Sequence, residues 1–148
     1  MKIGIVGLGV VGSAIRVGFE KIGHEVIPHD IKLYTKLSDV LDTEICYICV
    51  PTNSNDDGSC NISIVQKVVR ELKELGYNGI VAIKSTVEAG TTEKLREETG
   101  LIMCFVPEFL RERCAEDDFI NHNSLLLVGT DSDDVYDVVK ESHGSLPV

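Results

Sequence analysis

Short, unbroken Val/Ile/Leu runs alternate along the chain with longer segments whose apolar residues recur at helical spacing. Six runs read as strands: Lys2–Val6, Glu25–Pro28, Glu44–Val50, Gly79–Lys84, Leu101–Val106 and Leu125–Val128. Four segments read as helices: Val10–Ile22, Ile62–Leu75, Thr91–Thr99 and Ser132–Glu141. The clearest is Ile62–Leu75, with Ile62, Val65, Val69, Leu72 and Leu75 on one stripe. Strands that are apolar throughout, without polar alternation, belong in a sheet covered on both faces. Strand–helix alternation in turn calls for parallel crossover connections. The pattern predicts an α/β chain, doubly wound, with a mainly parallel sheet and helices on both faces.

At 148 residues one domain spanning 1–148 is expected. The 24 acidic against 14 basic residues give a net charge of -10, which repels phosphate backbones and argues against nucleic-acid binding. No apolar run approaches the ~20 residues of a membrane span. Met1 leads into a strand-like segment, not into a basic-then-apolar signal, so a cytoplasmic location without membrane partners is expected. Five cysteines without a disulfide rhythm are then expected as free thiols. Cys46 and Cys49 have CxxC spacing, which invites a redox or zinc reading. They lie inside one apolar strand run, however, where residues three apart point to opposite faces, so buried packing is the expectation.

The segment Gly7-Leu8-Gly9-Val10-Val11-Gly12 follows a strand and opens a helix. In that setting GxGxxG is a dinucleotide-binding signature: Gly7 permits the tight turn, Gly9 lets the backbone approach a pyrophosphate, and Gly12 allows close packing. The first helical amides, including those of Val10 and Val11, then face the anion. Asp30 ends the second strand eighteen positions after Gly12, where a carboxylate can take ribose hydroxyls and repel a 2′-phosphate. The fold is therefore expected to be Rossmann-type and the cofactor to be NAD. Two long connections, Pro51–Asn61 and Pro107–Ser124, leave the carboxyl ends of strands, the edge where open α/β sheets bind ligands.

Three further segments, Val50-Pro51-Thr52-Asn53, Lys84-Ser85-Thr86-Val87 with Gly90-Thr91-Thr92, and Pro107-Glu108-Phe109-Leu110-Arg111-Glu112, occur in that order. Together they resemble the N-terminal NAD-binding domain of the UDP-glucose/GDP-mannose dehydrogenase family, over nearly the whole chain. Members of that family oxidise the C6 alcohol of a nucleotide sugar to a carboxylate with two NAD. The resemblance implies that Pro51 and Thr52 run along the cofactor near the nicotinamide. It places Thr86 beside the nicotinamide, orienting water, and gives Glu108 a general-base or water-positioning role. It also makes Phe109 and Leu110 substrate-binding positions and Glu112 a cofactor or substrate contact. A buried carboxylate near a hydroxyl suits proton transfer. Lys84 is a second candidate base, with a solvated strand-end lysine as the plainer reading.

The same resemblance implies a second domain, carrying a cysteine nucleophile in a glycine-rich segment, for the thiohemiacetal step. Nothing in residues 1–148 matches that segment. The chain alone is therefore expected not to complete the four-electron oxidation. If active, it would be an NAD-dependent oxidoreductase acting on a CH–OH group. Two other readings stay open: a component whose site is completed by a partner polypeptide or a second copy, and a non-catalytic interaction domain with a vestigial nucleotide site. The family's longer insert after the second strand is replaced by Ile31–Thr43, which has room for a short helix around Leu37–Leu41. The acidic groups Glu116-Asp117-Asp118 and Asp131, Asp133, Asp134, Asp137 read as helix-start carboxylates, with Ser132 as a cap, and no metal is expected.

Overall fold

The computed structural model describes residues 1–123 and 125–147. Strands β1 (Lys2–Val6), β2 (Glu25–His29), β3 (Ile45–Ile48), β4 (Ile80–Ile83) and β5 (Ile102–Phe105) form one sheet in the order β2-β1-β3-β4-β5. Every neighbouring pair is parallel. The helices are α1 (Val10–Lys21), α2 (Ser63–Glu74), α3 (Thr91–Thr99), α4 (Ala115–Asn121) and α5 (Asp133–His143). A 3₁₀ turn at Leu37–Val40 fills the place of the expected short helix.

Two cores follow from the side-chain alternation of the strands. On one face Cys46, Ile48, Val81, Ile83 and Met103 pack against Val65, Val69 and Leu72 of α2 and Leu95 of α3. On the other, Ile3, Ile5, Ile45, Tyr47, Ala82 and Cys104 meet Ile15 and Phe19 of α1, Phe119 of α4, and Val135 and Val139 of α5. Helices thus cover both faces. Cys46 falls in the first core and Cys49 against the second, so the CxxC sulfurs face apart. The α2 stripe is less complete than its pattern: Val65, Val69 and Leu72 are buried, whereas Leu75 is exposed.

Two segments depart from the sequence expectation. Leu125–Val128 is not a strand. Among the described residues the backbone pairing next to it is the antiparallel bridge of Gly129 with Phe105 of β5, whose N–H···O bonds are 3.0 and 2.7 Å. Pairing at the carboxyl end of β5 alone means the described segment does not extend the sheet. Leu126 and Val128 pack on the α1 side while Leu125 and Leu127 stay exposed. The connection Pro107–Ser124, expected as an irregular loop, contains α4, and Ser124 at its end lies outside the described residues. Three carboxylates in its first turn, Glu116, Asp117 and Asp118, suit the helix dipole. Its docking depends on Gly18 of α1, where a Cβ would stand 2.4 Å from the Phe119 ring.

Candidate functional site: a cofactor cleft at the strand ends

β1 lies between β2 and β3, so the chain winds outward from it in both directions. Ligands of open α/β sheets bind in the crevice at such a switch point. Here the crevice is a cleft of about 470 Å³ at the carboxyl ends of β1, β3 and β4.

The glycine loop forms one wall, and its three glycines are used differently. Gly7 has φ +94°, and a Cβ there would lie 2.7 Å from the Cys49 carbonyl oxygen. A Cβ on Gly12 would come within 1.8 Å of the Gly7 carbonyl, so this residue is fixed by packing. At Gly9 a Cβ would meet nothing within 4 Å. Gly9 therefore opens onto the cleft, at the N-cap of α1, where no side chain caps the helix. Uncapped first-turn amides beside open space are a fitting donor set for a pyrophosphate.

Asp30 follows β2 and faces the same loop. Its Oδ2 accepts from the Leu8 amide at 2.7 Å and its Oδ1 from the Lys32 amide at 2.8 Å. These two amide hydrogen bonds, Leu8 first, hold the carboxyl below its ordinary range. The carboxylate so braces the loop while lining the cleft, with lone pairs left for ribose hydroxyls. Three apolar lining residues carried no motif signal: Ile31, Ile64 and Val68. Ile64 lies off the α2 stripe and Ile31 is 92% exposed. An apolar residue off its helix's buried stripe, and another directly after the strand-end acid, are the traces that could have marked them.

The opposite wall joins two distant segments. The Pro51–Asn61 connection is a small hairpin, closed by the Ser54–Cys60 pair and by Asn55 N–H to Ser59 O at 2.7 Å. Cys60 Sγ lies 3.2 Å from the Thr86 carbonyl oxygen and 3.6 Å from that of Thr52. Ser85 Oγ donates to Val50 O at 2.7 Å. Pro51, Thr52 and Thr86 are thereby brought together on the cleft wall, with Glu108 beside them.

Glu108 is half-buried, not buried as expected, because its Oε2 is drawn to the Leu110 amide at 2.7 Å. Lys84, by contrast, is only 5% exposed, so it is not the solvated strand-end lysine of the plainer reading. Burial pulls its ammonium below the usual lysine range. Phe109 and Leu110 lie outside the cleft, over a small cavity beneath the Pro107–Leu110 segment. The structure does not bring Glu112 to the cleft. The backbone leaves it after Leu110, where Arg111 is tied to Asp118 of α4 through its amide at 2.8 Å and its guanidinium at 2.6 Å.

With this geometry in view, the comparisons with known proteins are specific. Residues 32–146 match the profile of the UDP-glucose/GDP-mannose dehydrogenase family, NAD binding domain. The chain belongs to that family. The UDP-glucose 6-dehydrogenase of Haloferax volcanii is 30% identical over 126 residues, covering 75% of this chain and 29% of that protein. The Streptococcus pneumoniae UDP-glucose 6-dehydrogenase is 38% identical over 96 residues, covering 63% of this chain and 24% of its own length. A ternary-complex crystal structure of GDP-mannose dehydrogenase from Pseudomonas aeruginosa superposes over 99% of this chain and 44% of its own, with TM-score 0.83 and 26% identity. The chain is thus the NAD-binding domain of a nucleotide-sugar dehydrogenase family member, spanning less than a third of these curated relatives. The matched profile begins after Asp30, so the glycine loop is assigned by its own geometry and by the superposition.

Proposed function

We propose that the chain holds NAD across the β1/β3 crevice and forms the cofactor half of an oxidoreductase acting on a CH–OH group of a nucleotide sugar. The observation that carries this reading is the open face of Gly9 at the uncapped start of α1, set against Asp30 on the rim. In this reading the α1 amides hold the pyrophosphate and Asp30 the adenosine ribose. Ile31, Ile64 and Val68 provide an apolar surface for the base. Bound NAD supplies the hydride acceptor. Thr52 and Thr86 lie on the wall where the nicotinamide end would rest, and Glu108 is placed to take the alcohol proton.

The acyl-forming step needs a reactive thiolate. The described cysteines are poor candidates for it. Burial pushes the thiols of Cys49 and Cys104 up to about 12 and that of Cys46 higher still. Cys60 and Cys114 lie outside the cleft wall, the first against backbone carbonyls and the second 3.7 Å from Asp118 Oδ2. We therefore assign the thiol of the second oxidation to a polypeptide segment outside residues 1–148. Titration of ¹⁵N-labelled chain with NAD tests the binding mode. Amide shifts should gather at Gly7–Val11, Asp30–Lys32, Thr52 and Ser85–Thr86. Saturable shifts elsewhere, or none, would reject it.

A further inference from the structure

His143 ends α5 far along the chain from the glycine loop, yet it lines a small cavity that shares Lys84 and Glu108 with the cofactor cleft. It is 1% exposed and packs edge-on against Phe19, Tyr47 and Phe119. Its Nδ1 lies 2.9 Å from the Val139 carbonyl oxygen. A carbonyl can only accept, and the Ser142 hydroxyl 3.2 Å from Nδ1 gives its own proton to the Val139 oxygen at 2.6 Å, so Nδ1 carries the proton and Nε2 is left with a lone pair. That Nε2 is fully buried and has no hydrogen-bond partner among the described residues. A buried acceptor left unpaired loses its hydration without compensation, so such atoms nearly always have a partner.

A void of about 10 Å³ adjoins the ring, with Lys84, Glu108, Asn123 and His143 as its polar lining residues. That is close to the space one water molecule needs. Lys84 also lines the cofactor cleft, so this one residue borders both spaces. Its Nζ has three donors, of which one reaches the Val106 carbonyl at 3.4 Å. The Tyr47 ring lies 5.9 Å from Nζ. The titratable groups around it are Cys49 just after β3, Cys104 of β5, Glu108 and His143.

We propose that the cavity holds one buried water that accepts a hydrogen bond from the Lys84 ammonium and donates one to His143 Nε2. His143 is thereby a positioning residue for Lys84. With one N–H on Val106 O and a second on the water, the ammonium is fixed and its third N–H serves an oxygen of whatever molecule fills the cleft. The bridge belongs to the chain without ligand, so it stands or falls independently of NAD binding.

Two NMR measurements on the ligand-free chain test it. In the wild type the His143 ring should be the neutral Nδ1–H tautomer, and its carbon-bound protons should show cross-peaks to a long-lived water. In Lys84→Met the methionine fills the volume without the donor. The Nε2 resonance should then move downfield and the water cross-peaks should disappear, while the remaining spectrum stays dispersed. A merely structural histidine would show neither the water contact nor the dependence on Lys84. An Nε2–H tautomer or absent water cross-peaks in the wild type would overturn the proposal even if Lys84→Met does not fold. An Nε2 resonance that ignores a folded Lys84→Met would overturn it as well.

Discussion

At the scale of single residues, the groups of the cleft divide by how water is kept from them. Asp30 is rim-exposed and acquires its low proton affinity from two backbone amides. Lys84 and His143 are buried, so desolvation dominates and weakens proton binding in both. For His143 the folded-state value is pulled down to about 4 from 6.5. The sign follows from proton counting. Between these values the unfolded chain binds a proton that the folded chain refuses, so stability is complete above pH 6.5 and is lost as pH falls towards 4. The shift corresponds to a loss of about 3 kcal/mol across that window. Urea denaturation between pH 7 and 4 should show the decline, and His143→Gln should flatten it. A wild-type profile flat over this range would contradict the burial of a neutral imidazole. The contributions of Asp30, Asp118 and Asp131, all held below the usual carboxylate range, are lost mainly at lower pH and begin to add to the decline only near its acid end.

At the scale of elements, close approach governs the placement of α1. Gly12 lets its first turn sit against the glycine loop, and Gly18 lets α4 dock through Phe119. Gly18→Ala forces a methyl into the Phe119 ring and should cost about 1–3 kcal/mol. A urea midpoint unchanged from the wild type would show that α4 does not pack there as described. The elements legible in the sequence are those whose burial is repeated along their length, such as β1, β4, α2 and α3. Their boundaries follow the apolar periodicity to within two residues. The helix α4 was hidden because its seven residues offer only Ala115, Asp118 and Phe119 to the interior, too few to show a period. Leu125–Val128 was read as a strand because its composition suits one. Its pairing is decided instead by where the chain returns to β5.

At the scale of the whole molecule, strand order places the glycine loop, the strand-end acid and the two threonine-bearing segments around one crevice. Their convergence was legible because each motif sits at the carboxyl end of a readable strand. The connection between Thr52 and Thr86 through Cys60, and the buried setting of Lys84 and His143, were not, since they depend on contacts between residues far apart in sequence. Phe109 and Leu110 lie over the small cavity outside the cleft, and Glu112 lies farther out on the surface.

The central claim is that the Gly9 opening is a cofactor site and not a packing feature. Gly9 has extended backbone angles, φ -73° and ψ -155°, and space for a Cβ, so Gly9→Ala should fold with wild-type stability. Calorimetric titration of both proteins with NAD, at one salt concentration, tests this most directly. Saturable binding by the wild type, weakened roughly tenfold or more in Gly9→Ala at equal thermal stability, is the predicted result, a change of about 1.4 kcal/mol or more. No binding by the wild type at millimolar NAD, or equal affinity in the two proteins, would contradict it.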